Sequence, residues 1–297
     1  MTRRGWALFA AMCLIWGIPY LLIKVAVGSL SPVTLVFFRT LLGGLLLLPL
    51  AAARGSLRPL LPKWKVLVAY TVAEVALPWL LLSDAERRLT SSLTGLLLAA
   101  VPFVGVLLSW LTGAADRFDA RRLFGLVVGF IGVAALVGLN VSGSDLTAVG
   151  EVGLVAIGYA VGPMIISRRL SDVPGIGVVA VSLILPAIAY APLAMTRMPG
   201  TLPPLQVWVS VAMLGVVCTA IAFLVFFALI AEVGSVRATM ITYVNPAVAL
   251  TLGVVLLHEP FTFGAALGFV LILCGLFLAT RRARPDPTRP EPVPAPG

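Results

Sequence analysis

Ten times in 297 residues the sequence runs through an apolar stretch long enough to cross a lipid bilayer, at approximately 5–27, 31–53, 65–83, 89–111, 121–140, 147–167, 174–195, 205–230, 235–257 and 261–280. About 20 apolar residues span roughly 30 Å of hydrocarbon as a helix. Backbone groups have no water to bond there, so such segments must satisfy their own hydrogen bonds and fold as helices. Hydrophobic residues make up 60% of the chain and charged ones 11%, against roughly 45–50% and about 25% in a soluble domain. One soluble core could not hide that excess. The expected fold is an all-α polytopic membrane protein of ten transmembrane helices, with the lipid bilayer as its surroundings.

The formal net charge of +9 could point to nucleic acid, but its placement points to topology. Arg3 and Arg4 precede the first run; Arg54, Arg58, Lys63 and Lys65 follow the second. Arg117, Arg121 and Arg122 lie between the fourth and fifth, Arg168 and Arg169 after the sixth, and Arg281, Arg282 and Arg284 after the tenth. Ten crossings put all of these on one side; the other side keeps Arg87, Arg88 and Arg197 in its loops. Lys24, near the end of the first run, is expected to snorkel outward. Cytoplasmic loops of membrane proteins carry the excess of lysine and arginine. The expectation is a multi-pass protein of the cell membrane (plasma or inner) with both termini cytoplasmic and no nucleic-acid partner.

Cys13, Cys218 and Cys274 fall inside the runs at no metal-ligand spacing and read as small packing residues. The basic and apolar start resembles a signal peptide, but a hydrophobic hairpin follows at once, so it reads as the first helix. The segment "RRARPDPTRPEPVPAPG", 281–297, reads as a disordered, proline-rich cytoplasmic tail.

Landmarks recur along the chain. Pro102 and Pro246 are 144 residues apart, as are Pro19 and Pro163; Gly125 with Gly268, Gly132 with Gly275, and Asp116 with Glu259 are 143 apart. Residues 1–140 and 141–280 therefore read as two five-helix repeats. Five is odd, so the halves insert with opposite orientation, a construction common in transporters with a midplane substrate site. At about 1.5 Å per residue, Pro102 and Pro246 lie on the order of 15–20 Å from the outer face. Proline there implies a break or bend, either lining a cavity or re-satisfied by neighbouring helices.

The segment "GSVRATMITYVNPAVALTLGVVLLHEPFTFGAALGFVLILCGL" resembles the end of an EamA-type repeat of the drug/metabolite transporter (DMT) superfamily. The marks are the Gly234-Ser235-x-Arg237-Ala238 start, the Asn245-Pro246 pair, Glu259-Pro260 and a closing glycine-spaced helix. A fainter copy lies in "SSLTGLLLAAVPFVGVLLSWL" and "DRFDARRLFGLVVGFIGV", and Trp16-Gly17 and Arg39 match positions typical of the first repeat. The resemblance covers residues 5–280 and departs at Asp116, where glutamate is usual. It implies a proton-coupled exporter, exchanger or facilitator of amino acids or other metabolites.

Charges inside hydrocarbon are costly, about 2.5–3.5 kcal/mol or more at a helix centre, so Arg39 and Glu74 stand out. With a third helix ending at residue 83, both fall roughly 12–14 Å below the outer surface. They form either a buried ion pair that sets helix register or a cavity lining, Arg39 for a carboxylate and Glu74 for an amine or proton. Trp16, Trp79, Tyr159, Phe223 and Tyr243 fall near mid-membrane, as packing or as cavity aromatics. Asn245 is a substrate ligand or a helix–helix hydrogen bonder. The substrate-pathway candidates are thus Trp16, Pro19, Arg39, Glu74, Trp79, Pro102, Tyr159, Phe223, Tyr243, Asn245 and Pro246. Gly125, Gly129, Gly132, Gly264 and Gly268 fit close helix packing. Asp116 and Glu259 are expected to bind loop backbone amides.

The chain has no metalloprotease, nucleophile-elbow or Walker motif and one histidine, His258. No enzyme activity, cofactor or metal is expected. Secondary transport of a small-molecule substrate by a monomer or homodimer leads; a lipid flippase, a drug-type cation exporter and a structural membrane subunit are the alternatives.

Overall fold

The computed structural model describes residues 1–112 and 120–280. Asp116, Arg117, Arg281, Arg282, Arg284 and the rest of the tail, which entered the sequence reading, lie outside the described residues. In chain order the helices are α1 (Arg3–Gly17), α2 (Pro19–Val27), α3 (Pro32–Ala53), α4 (Trp64–Thr71), α5 (Leu77–Arg88), α6 (Ser91–Leu98), α7 (Val101–Leu111) and α8 (Ala120–Asn140). There follow α9 (Leu146–Arg169), α10 (Gly175–Thr196), α11 (Leu205–Gly215), α12 (Ala222–Val233), α13 (Ser235–Ala238), α14 (Ile241–Leu256) and α15 (Phe263–Thr280). A π-helical turn joins α4 to α5 at Val72–Ala76 and another joins α11 to α12 at Val216–Ile221.

Local chemistry sets several of these starts. Ser31 caps α3 by accepting from the Thr34 amide, and Pro32 follows at the first helical position, where no donor is lost. Thr90 caps α6 by accepting from the Leu93 amide. Among the described residues, eight helical stretches are long and apolar enough to cross a membrane, Arg3–Val27 through Leu205–Val233. The last two, Ile241–Leu256 and Phe263–Ala279, are apolar but shorter.

One boundary matters for function. The third stretch runs to Arg88 rather than ending near residue 83. "DAERR" looks like a loop because it is charged, yet Trp79, Leu82, Ser83 and Glu86 are all buried and share one helical face.

The helices pack in pairs: α3 on α10, α5 on α9, α6 on α14, α8 on α15, and the first stretch on α11 and α12. Exchanging the first five stretches for the last five returns the same set of pairs. Glycines permit the closest approaches. A Cβ at Gly275 would lie 2.4 Å from the Gly129 nitrogen, and one at Gly125 2.5 Å from the Ala279 nitrogen, so α8 and α15 touch backbone to backbone. Gly132, Gly264 and Gly268 sit on the same contact.

The two prolines of the repeat are handled differently. Pro102 follows a break at Ala99–Ala100 and stands in the first turn of α7. Pro246 is buried inside α14, whose helix continues through it, and an interruption falls earlier, at Thr239–Met240. Pro19 opens α2 after a one-residue interruption at Ile18, whereas Pro163 lies inside unbroken α9. In each half the clearest distortion is instead the π turn, the first starting at Val72 and the second at Val216, 144 positions on. Such turns insert an extra residue into the hydrogen-bond ladder and re-aim the side chains that follow.

Salt bridges among the described residues sort to the two ends of the bundle. At the end bearing the N-terminus, Thr2 donates to Glu232 and Lys63 to Asp172. The Lys63 partner, with a backbone hydrogen bond, holds the Asp172 carboxyl below its ordinary range. At the other end, Arg88 bridges Glu151 at 2.7 Å and Asp84 at 3.0 Å.

Candidate functional site

Arg39 lies on α3 with 7% of its surface exposed. Its guanidinium carbon stands 3.7 Å from the centre of the Trp79 ring, a cation–π arrangement that is strongest when desolvated. Its Nε–H donates to Thr219 Oγ1 at 3.2 Å. Thr219 belongs to the second π turn, where its hydroxyl donates to the Leu214 carbonyl five residues back, at 2.8 Å. The approach of α3 to that turn depends on Gly43 and Gly215: a Cβ at Gly43 would meet the Thr219 methyl at 2.8 Å, and one at Gly215 would meet Leu42 at 2.7 Å. A residue of the first half is thereby held by a residue of the second, 180 positions away. Arg39 has no ion-pair partner among the described residues, and its two terminal amino groups have no hydrogen-bond partner among them.

Trp79 and Tyr159 lie together beside this guanidinium. Tyr20, Tyr159, Cys218 and Glu86 lie within electrostatic range of Arg39. Trp79, Tyr159 and Phe223 share one apolar cluster. Trp16 joins it edge-on to Phe223, with centroids 6.0 Å apart and planes at 79°, and stacks obliquely on Phe226 at 4.8 Å.

Glu74 is not the partner of Arg39. Because α5 continues to Arg88, Glu74 lies fourteen residues from that end, about 21 Å, whereas Arg39 lies seven residues from Pro32, about 10 Å. The equal depth inferred from a helix ending at residue 83 does not hold, and no ion pair joins the two. Glu74 instead sits on the first π turn against α9, where its Oε2 is buried and unpartnered. A Cβ at Gly162 would fall 1.8 Å from that oxygen, so the missing side chain of Gly162 is the space the carboxyl occupies. Gly162→Ala should therefore lower thermal stability by about 1–3 kcal/mol. Adding Glu74→Ala removes the nearest atoms and should restore most of the loss. A melting temperature for Gly162→Ala equal to the parent's would show that the two do not touch.

The remaining candidates scatter. Asn245, with its amide nitrogen turned toward carbonyl oxygens, reaches Ile241 O at 3.0 Å and Cys13 O at 3.3 Å. It ties α14 to α1 and bonds a carbonyl of the turn that Pro246 disturbs. Tyr243 is half-buried against the main apolar cluster. Pro19 and Pro102 stand in the first turns of α2 and α7, and Pro246 is buried within α14.

Three features escaped the sequence reading. Thr219 carries no charge and gives no signal in an apolar run. Glu86 lies in a charged stretch that reads as a loop, although its spacing from Trp79, Leu82 and Ser83 places all four on one helical face. Gly158 and Gly162 mark the seat of the first π turn. The Lys24 ammonium donates to the carbonyls of Glu86 and Leu89, 2.7 Å each, and closes the end of α5. Glu259 binds backbone amides, as expected of it. Its carboxylate accepts from the Ser91 and Ser92 amides at 2.7 and 2.9 Å and from the Ser92 hydroxyl at 2.5 Å, at the positive end of α6. His258 turns the chain toward this contact with φ 54.

A cavity of about 660 Å³ opens at the end of the bundle opposite the N-terminus, with Asp84, Arg87, Glu151 and Arg197 on its walls. Arg39 does not line it, but Leu80, next to Trp79, does. The charged mouth and the buried guanidinium are separate features, and the chemistry converges on the second.

The profile of the EamA-like transporter family matches residues 3–138 and again 152–281. An uncharacterized inner membrane transporter of Escherichia coli, YedA, is 28% identical over 297 residues, covering 97% of this chain and 94% of that one. The uncharacterized transporter YvbV of Bacillus subtilis is 24% identical over 287 residues, covering 93% and 92%. A solved crystal structure superposes with a TM-score of 0.67 at 22% identity, covering 93% of this chain and 96% of that one, which shows a shared fold.

Proposed function

The chain belongs to the EamA-like transporter family, and from that premise we propose that it is a secondary-active transporter that exports or exchanges small metabolites such as amino acids or related zwitterions by alternating access. In this reading ten helices form two inverted five-helix halves, 1–140 and 141–280, in the cell's inner membrane with both termini cytoplasmic. Support comes from the double family match, from the helix pairing that survives exchange of the halves, and from the lysine and arginine asymmetry. The relative YedA is named as an inner membrane transporter.

The observation that carries the proposal is Arg39. A guanidinium fixed by Trp79 and Thr219, with its terminal donors uncommitted, suits a carboxylate approached in the guanidinium plane. It lies where the two halves meet, so opening one half against the other would expose it to either side. Arginine and threonine come from one chain, so a monomer holds the complete site; a homodimer would hold two. Proton coupling belongs to the same reading.

Comparing extracellular and intracellular metabolites between a deletion strain and an overexpressing strain tests the proposal. One class of carboxylate-bearing solute should rise inside and fall outside on deletion, and reverse on overexpression. Arg39→Met at equal membrane abundance should lower its efflux at least tenfold, while Arg39→Lys, which keeps charge but not planarity, should retain part of it. Unchanged metabolites, or an Arg39→Met variant that transports at the parent rate, would refute the reading. A second reading, export of an organic cation, is favoured by the unpartnered Glu74 oxygen. It predicts that Glu74→Gln, not Arg39→Met, abolishes efflux of a fluorescent lipophilic cation.

A further inference from the structure

We propose that Glu86 is a proton-binding site, sealed when its carboxyl holds the proton and opened when it releases it. Glu86 is fully buried, with 0% of its surface exposed, and neither carboxyl oxygen has a hydrogen-bond partner among the described residues. An ionised carboxylate in such a place loses its hydration with nothing in return, whereas the neutral acid loses far less. The enclosure also excludes a solute: a proton is the ligand small enough to reach the group without displacing its neighbours.

Charged and titratable groups from the surrounding elements lie within electrostatic range of it: Lys24 and Tyr20 on α2, Arg39 on α3, Tyr159 on α9, and Glu259 in the turn after α14. On its own helix, Arg87 and Arg88 pair with Asp84, and Arg88 also with Glu151 of α9, on the opposite face. Lys24, the nearest source of compensating charge, directs its ammonium at the Glu86 and Leu89 carbonyl oxygens and not at the carboxyl. The Ser91 hydroxyl beside the Glu259 clasp is likewise buried and unpartnered. Two arrangements are therefore available. In the one observed, Lys24 closes the end of α5, Glu259 holds α6, and a neutral acid is accommodated. If the Glu259 clasp loosens and Lys24 turns, the carboxylate gains an ammonium partner and water, and ionisation becomes favourable. One O–H bond forms or breaks, the proton passes to or from the water admitted by that opening, and Lys24 stays an ammonium throughout. That this exchange drives transport rests on the transporter reading; the proton site does not.

The full-length protein in lipid nanodiscs can be examined by infrared difference spectroscopy between about pH 5 and pH 9, which reads the carboxylic-acid C=O band directly. A buried-acid band that titrates in the parent should persist in Glu74→Gln and disappear in Glu86→Gln, an isostere of the neutral acid. Glu86→Asp, which keeps an acid at a shifted position, should move the band and its midpoint; it serves equally if Glu86→Gln does not fold. Lys24→Met should raise the midpoint. A titrating band that survives Glu86→Gln, a midpoint unmoved by Glu86→Asp, or a band that never titrates would each overturn the proposal. The spectra need no substrate, so they stand apart from the metabolite comparison. A band that titrates and is lost in Glu86→Gln, in a protein that moves no metabolite, refutes transport alone; metabolite efflux by a protein whose titrating band survives Glu86→Gln refutes the proton site alone.

Discussion

Gly275→Ala should separate α8 from α15 and leave little folded protein in the membrane. The added Cβ would fall 2.4 Å from the Gly129 nitrogen and 2.6 Å from the Gly125 oxygen. Both are backbone atoms, so no rotamer change can make room and the helices must move apart along their shared face. Overpacking of this kind costs about 1–3 kcal/mol, occasionally more, and lipid supplies no hydrophobic drive to hold helices that have lost close contact. Membrane abundance and the melting temperature of the detergent-purified protein would report it. Gly264→Ala is the graded comparison, because its nearest obstacle is the Asn140 side chain, which can rotate. Gly138→Ala, which meets nothing within 4 Å, is the neutral control. A Gly275→Ala protein that melts with the Gly138→Ala control would mean that the two helices do not meet as described.

The second large effect is expected from Glu259→Ala. Its carboxylate is the common acceptor for two α6 amides and the Ser92 hydroxyl. Removing it leaves partly buried donors unsatisfied at about 1–3 kcal/mol each and takes a negative charge from a helix N-terminus. A loss of at least about 3 kcal/mol in unfolding free energy follows from those two terms. Glu259→Gln keeps one acceptor oxygen without the charge and should lose about half as much. Gly253→Ala reaches the same clasp from the other side, since its Cβ would lie 2.2 Å from Ser92 Oγ and 2.3 Å from Glu259 Oε2. The two single variants should therefore show coupling, with the double change destabilising less than the sum. Independent, additive effects would place Gly253 outside the clasp.

The membrane class, the helical content and the use of glycines in α8 and α15 for close packing are legible from residue order; that these two helices meet each other is not. Each depends on a property summed along one helix: the length of an apolar run or the spacing of small residues. Glu259 was legible too, because an acid just past a helix end in a membrane protein has backbone amides as its nearest donors. The site was less so. A charged run at residues 84–88 was read as a loop, which shortened the third helix by five residues, about 7.5 Å. That shift set Glu74 level with Arg39 and hid Glu86.

The sequence by itself determined that this chain lives in a bilayer, because lipid leaves the backbone no partner outside a helix and the runs have the length to cross. It also determined where along the chain charge is placed within hydrocarbon. Rotation about each helix axis was decided by tertiary structure alone. Arg39 meets Trp79 and Thr219, and Glu74 meets Gly162, through contacts between residues far apart in the chain, and two π turns re-aim the side chains that take part. Hydropathy measures depth. Which side chains face one another at that depth depends on backbone-to-backbone approach at Gly43, Gly162 and Gly215, and such an approach exists only once the helices have packed.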